Sequence, residues 1–110
     1  MCGIFGWIKW KDSFSESEIN ASREALSSMK HRGPDFQGEW FSDTVYMGHR
    51  RLSIIDLSPE AHQPFKDEDG NYVLIFNGEI YNYLELKTEL KKQGLVFRTS
   101  SDTEVLLAAF

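Results

Sequence analysis

Apolar and polar positions alternate along this chain with two different periods, and the switches between them mark out the elements. Cys2 to Trp10 is a short β-prone run, with Ile4, Phe5, Trp7, Ile8 and Trp10 separated by Gly3 and Gly6, and it reads as a buried strand. Ser15-Glu16-Ser17-Glu18 has capping-box spacing and predicts a helix with Ile19, Ser22, Leu26 and Met29 on one face and Ala25 beside them. That helix stops near His31, because Gly33-Pro34 cannot continue it. Trp40-Phe41 belong to a short strand, Ser42-Asp43 turn, and a second strand starts over Thr44–Met47. The strand-like pattern extends from Gln37 to Asp56, with Gly48-His49-Arg50-Arg51 leading into the apolar run Leu52–Asp56.

Residues 57–71 are loop-rich, with Pro59, Pro64 and the run Asp67-Glu68-Asp69-Gly70-Asn71. That run reads as a solvated turn, since it lacks the spaced ligands and closing glutamate of a calcium loop. Tyr72–Phe76 is wholly apolar, the pattern of a strand buried on both faces. Asn82 is expected to cap a helix through Gln93 with Tyr83, Leu86 and Leu90 on its apolar face, Lys91 and Lys92 in its last turn and Gly94 ending it. Leu95–Thr99 reads as another short strand. Ser101-Asp102-Thr103-Glu104 repeats the capping-box spacing ahead of a third helix over 105–110, which carries no stop signal. The segment therefore reads as the front part of a longer domain.

Composition narrows the class. The chain has 110 residues, 41% hydrophobic and 14% aromatic, enough for a packed core in one domain or part of one. Its formal net charge of −5 argues against nucleic acid or an anionic membrane as the main partner. A single cysteine forbids an internal disulfide and suits a reducing compartment. Lys9, Lys11 and Asp12 interrupt any signal-peptide core, and no apolar run is long enough to span a membrane. A cytoplasmic location is expected.

The candidate chemistry starts with that cysteine. Cys2 follows Met1, so removal of Met1 would leave a thiol and a free α-amine on one residue. An α-amine titrates just above neutrality and can serve as the base for its own nucleophile, which suggests acyl transfer through a thioester. A small buried strand residue is the alternative reading of Cys2. His31-Arg32-Gly33-Pro34-Asp35 is either a helix exit or a rigid loop that packs beneath a site and orients it. Of the adjacent Arg50 and Arg51, one could be a solvated surface charge and the other, at a strand end, a bidentate partner of a carboxylate. Asn77-Gly78 fits a tight turn. It equally fits an oxyanion hole made of the Asn77 side-chain amide and the Gly78 N–H, with Glu79 beside it as an anion for a cationic substrate group.

Five segments in order then carry a resemblance over essentially the whole chain. They are Met1–Gly6, His31–Asp35, His49–Asp56, Phe76–Asn82 and Ser101–Glu104. Together they resemble the N-terminal glutaminase, or class II glutamine amidotransferase, domain of glutamine-hydrolysing asparagine synthetases. The resemblance implies an α+β fold, the four-layer αββα sandwich of N-terminal-nucleophile hydrolases, with residues 1–110 a partial domain truncated at its C-terminal side. It implies Cys2 as nucleophile, its α-amine as base, and Asn77 and Gly78 as the oxyanion hole. Arg51, helped by backbone around Ile54, would hold the α-carboxylate of L-glutamine, and Glu79 and Asp102 its α-ammonium. No cofactor or metal is implied for this segment. ATP and magnesium would belong to a synthetase domain of the same polypeptide, absent from these residues, which uses the ammonia to amidate aspartate. A homodimer is compatible with this picture. An amidotransferase acting on another acceptor, such as a sugar or peptide precursor, and a catalytically silent regulatory domain are the alternatives.

Overall fold

A computed structural model describes all residues, Met1–Phe110, as an α+β domain. A three-stranded antiparallel sheet carries its first half, in the order β1 (Gly3–Ile8), β3 (Val45–Arg51), β2 (Phe36–Phe41). One helix, α1 (Glu16–Ser28), continues into a 3-10 turn, Met29–His31, and covers one face of that sheet. The second half contains a two-residue ribbon, β4 (Phe65–Lys66) with β5 (Val73–Leu74), and two helices, α2 (Tyr83–Lys92) and α3 (Asp102–Ala109), which pack on each other.

The start of α1 is the expected capping box, complete in both directions. Ser15 Oγ accepts from the Glu18 N–H at 3.2 Å and the Glu18 carboxylate accepts from the Ser15 N–H at 2.8 Å. Ile19, Ser22 and Leu26 are buried, the face that the 3.6-residue period predicts. Leu26 lies on Gly48, where a Cβ would come within 2.8 Å of its side chain, so the glycine sets how closely helix and sheet approach.

Register then decides which side chains share a face. Gly3 pairs with Arg50 and Phe5 with Gly48 on one side of β3, and Gln37 with Arg50 and Glu39 with Gly48 on the other. With a period of two, Tyr46, Gly48 and Arg50 turn toward α1, while Met47, His49 and Arg51 turn to the opposite face. Tyr46 is fully buried. Its hydroxyl donates to Glu39 at 2.7 Å, and Arg23 from α1 holds the same carboxylate at 2.7 Å. The loop through Pro59–Ala61 and the cis Gln63–Pro64 bond crosses the opposite face of β2, where His62 stacks on Phe36 with ring centres 3.5 Å apart.

Five sequence expectations are corrected. Cys2–Trp10 is half-buried rather than buried, because α1 covers only one face; Ile4 and Ile8 on the other remain 46% and 55% exposed. Leu52–Asp56 and Leu95–Thr99 are not strands, since neither run has a neighbouring strand to supply ladder hydrogen bonds. Tyr72–Phe76 pairs only through Val73–Leu74 and is partly exposed, as β4 is two residues long. Asn82 occupies the residue before α2 but its side chain makes no cap hydrogen bond. Its backbone, at φ −99° and ψ 23°, is not the extended conformation that presents a side-chain acceptor to the first turn. Gly94, at φ +95°, ends α2 in the left-handed conformation expected of a helix-terminating glycine.

Candidate active site

The two residues ahead of β1, the end of β3, the loop after it, the stretch after β5 and the start of α3 surround one cavity of about 400 Å³, within the usual range for small-molecule sites. Cys2, Arg51, Ile54, Asn77, Gly78, Glu79 and Asp102 all line it. Every side chain the resemblance implies for the site is therefore at this cavity, although they span positions 2 to 102.

Cys2 is partly buried at the edge of the sheet, with Sγ accepting from the Leu52 N–H at 3.3 Å. Its own amide nitrogen is joined to Met1, which is exposed and lines the same cavity. Arg32 Nε donates to the Cys2 carbonyl at 3.3 Å. Gly33 lies against the Arg50–Arg51 backbone so closely that a Cβ would collide with the Arg50 carbonyl. Asp35 completes this support: its N–H donates to the Arg51 carbonyl at 3.0 Å and its carboxylate accepts from the Ser53 N–H at 2.7 Å. The His31–Asp35 loop is thus both a helix exit and a brace under the Cys2 and Arg51 backbone.

Both arginines are buried, each 6% exposed, which corrects the expectation of a solvated one. They occupy successive positions of the central strand, so they point to opposite faces and both faces are covered. Arg50 donates to Gln37 Oε1 at 2.8 Å on the α1 side. Arg51 points into the cavity and donates to the backbone carbonyls of Ser58, at 2.9 Å, and Asp56. It makes no salt bridge within the chain. A buried guanidinium held only by neutral carbonyls is a strong site for an external anion. Asp56 does not serve as that anion; its two oxygens accept from the Ser58 N–H at 2.8 Å and the Ser100 N–H at 2.7 Å. Those bonds, the Ser58 contribution foremost, and the nearby Arg51 charge hold the Asp56 carboxyl below its ordinary range.

Asn77, Gly78 and Glu79 form the turn that follows β5. Glu79 is exposed, and the Phe76 ring packs over Gly78, where a Cβ would come within 2.7 Å of it. Asp102 opens α3, is 5% exposed, and accepts from the Ile80 N–H at 3.0 Å through one oxygen. The capping box there is only half made. Ser101 Oγ accepts from the Glu104 N–H at 3.2 Å, but the Glu104 carboxylate turns to the N–H groups of Arg98 and Thr99.

His49, Gln63, Asp56 and Thr103 also line the cavity and were not singled out as site residues from the sequence. His49 is fully buried, and loss of hydration pushes its imidazole down to about 4, so it is neutral at pH 7. Its position two residues before Arg51 in a strand was a usable signal, since a period of two puts both on one face. Nothing in the local sequence around Gln63 marks it.

The whole chain, residues 1–110, matches the glutamine amidotransferase domain family, and the protein belongs to that family. Among curated relatives it is 44% identical to asparagine synthetase [glutamine-hydrolyzing] 1 of Bacillus subtilis, aligned over all of this chain and 17% of the relative. Asparagine synthetase B [glutamine-hydrolyzing] of Escherichia coli is 41% identical over all of this chain and 19% of its own length. Amidase chry2 of Gibberella zeae is 39% identical, again over all of this chain and 18% of the relative. The chain thus spans less than a fifth of these three relatives.

Proposed function

We propose that this chain is the glutaminase part of a glutamine-dependent asparagine synthetase, releasing ammonia from L-glutamine through a Cys2 thioester. One observation carries the reading: a single cavity is lined by the thiol of Cys2, a buried guanidinium without an ion-pair partner, the carboxylates of Asp56, Glu79 and Asp102, and the Asn77–Gly78 turn. Glutamine is a zwitterion with a reactive amide at its far end, and each of its groups has a complementary group here. With one arginine against the carboxylates of Asp56, Glu79 and Asp102, the lining suits a small zwitterion and not a polyphosphate. ATP and magnesium belong, on this proposal, to a synthetase domain elsewhere in the polypeptide, which amidates aspartate. The finer fold is the four-layer αββα sandwich of N-terminal-nucleophile hydrolases; the exposed Ile4 and Ile8 on the sheet face away from α1 are consistent with a further layer there.

Removal of Met1 converts the Cys2 amide into an amine and clears part of the cavity wall. The amine takes the thiol proton, and the thiolate attacks the side-chain carbonyl of glutamine. Asn77 and the Gly78 N–H hold the resulting oxyanion, while Arg51 with Ile54 backbone holds the α-carboxylate, and Glu79 and Asp102 hold the α-ammonium. The protonated amine gives its proton to the departing nitrogen, ammonia leaves, and water cleaves the thioester to glutamate. The test is glutamate release by the full-length protein with and without Cys2→Ala, alongside the mass of its N-terminus. The proposal expects a processed N-terminus and a loss on the order of 10⁴-fold or more in kcat for the variant. Equal rates from both proteins, or an active protein that retains Met1, overturn the mechanism.

A second reading has specific support, because a relative of equal coverage is named an amidase rather than an asparagine synthetase. The glutaminase chemistry could then feed a different acceptor. Measuring which acid is amidated by the full-length protein separates the two.

A further inference from the structure

The turn that carries Asn77 and Gly78 is not held by a sheet. Pairing of β5 ends at Leu74, so the N–H and C=O of Phe76 have no strand partner. Two buried side chains take their place. Gln63 Oε1 accepts from the Phe76 N–H at 2.6 Å, and His49 Nε2 meets the Phe76 carbonyl at 3.3 Å. A carbonyl can only accept, so His49 carries its proton on Nε2. The Phe76 N–H can only donate, which fixes the Gln63 amide with Nε2 toward Thr103 Oγ1, at 3.1 Å. Thr103 follows Asp102 in α3, and Asp102 in turn accepts from Ile80 N–H at the far end of the same turn. Gln63 and Thr103 are 8% and 4% exposed and His49 is fully buried, so a substitution that removes these bonds leaves buried polar groups behind.

We propose that Gln63 and His49 are positioning residues for the oxyanion turn, and that Gln63 ties this turn to the helix bearing Asp102. This rests on the glutaminase reading above. Gln63 touches no reacting atom. It fixes Phe76, and through it the direction of the Asn77 and Gly78 donors, to the tolerance that transition-state stabilisation demands. It also links the position that binds charge developing on the amide to the position that binds the α-ammonium.

The test uses the full-length protein and two variants of similar volume. Gln63→Met removes both hydrogen bonds. Gln63→Glu keeps an acceptor for the Phe76 N–H, and the Thr103 hydroxyl can rotate to donate to its second oxygen. Four quantities are measured: kcat, KM for glutamine, inhibition by L-glutamate γ-semialdehyde, and alkylation of Cys2 by iodoacetamide. The aldehyde takes the Cys2 sulfur onto its carbonyl carbon and a proton onto its oxygen, so its affinity reports the oxyanion hole. Iodoacetamide reacts at a saturated carbon with no oxyanion and reports the thiol alone. Gln63→Met is expected to lower kcat on the order of 10–100-fold and weaken the aldehyde similarly, with alkylation unchanged. Gln63→Glu is expected to recover most of that loss. A Gln63→Met protein with wild-type kcat and aldehyde affinity overturns the proposal, as does a folded Gln63→Glu protein no better than Gln63→Met. Should Gln63→Met fail to fold, a folded Gln63→Glu protein decides alone: near-normal kcat supports the proposal, and loss of aldehyde binding with intact alkylation overturns it. Full activity in Cys2→Ala would instead sink the Cys2 thioester mechanism of the proposed function itself.

Discussion

The two halves of this molecule are stabilised in different ways. From Gly3 to Arg51, backbone hydrogen bonds close into ladders and one helix, and the core is apolar packing of Leu26, Ile19 and Tyr46 between helix and sheet. From Leu52 to Thr99 the chain has one ten-residue helix and two strands of two residues. There the backbone is held by side chains: Asp35 and Asp56 on the loops, Gln63 and His49 on Phe76, Asp102 on Ile80, Glu104 on Arg98 and Thr99. The first half is a scaffold; the second is a set of loops fixed one hydrogen bond at a time, and most of the cavity wall comes from it. A wall that must present polar groups to a ligand cannot also be an unbroken ladder, because ladder groups have spent their donors and acceptors on one another.

Substitutions can break this contrast, and the largest effect belongs to the scaffold. Leu26→Ala removes a fully buried side chain against Gly48 and is expected to cost ~2–5 kcal/mol of stability. Urea unfolding measures this, and the fraction still folded should keep its specific activity. Asn77→Ala should do the reverse, lowering kcat by ~10²–10³-fold, or ~2.7–4 kcal/mol, with little change in the unfolding midpoint. If it instead unfolds the protein without a separate kcat loss, the division between scaffold and wall is wrong.

A pH series sharpens the comparison further. His49 is pushed down to about 4 from an ordinary 6.5, so between those values the unfolded chain binds more protons than the native one. Stability therefore rises with pH through this window, is complete above 6.5, and is lost as pH falls toward 4, by about 3 kcal/mol from this residue. His62, lowered mainly by burial, adds to the same slope. Unfolding free energies at pH 7 and pH 5 should differ less in His49→Gln than in the parent; an unchanged difference would discard His49 as the source. The smallest effect is local to the scaffold: Ser15→Ala loses the cap of α1 and should cost ~1 kcal/mol with no change in kcat.

The His31–Asp35 loop shows how far local sequence reaches. Gly33-Pro34 announces the end of a helix, but what Gly33 does afterwards, lying against the Arg50–Arg51 backbone, depends on a strand that starts a dozen residues later. The same limit explains the failed strands. Leu52–Asp56, Tyr72–Phe76 and Leu95–Thr99 have the composition of strands, but composition supplies only half of a ladder.

What the sequence determined by itself lies among partners a few residues apart: the capping box of Ser15 and Glu18, the buried face of α1, the termination at Gly94, and the order of the motifs. Cys2 and the Asn77-Gly78 pair were legible as chemistry from their types and neighbours, whereas the choice of Arg51 over Arg50 and the role of Asp102 came only with the family resemblance. Only the tertiary structure decided that both arginines are buried on opposite faces, that Arg51 lacks an internal anion, and that Gln63 joins Phe76 to Thr103. The Gln63 link depends on contacts between residues 13 and 40 positions apart. No local propensity encodes such contacts, because closing the intervening loops yields nothing until both ends are already in place.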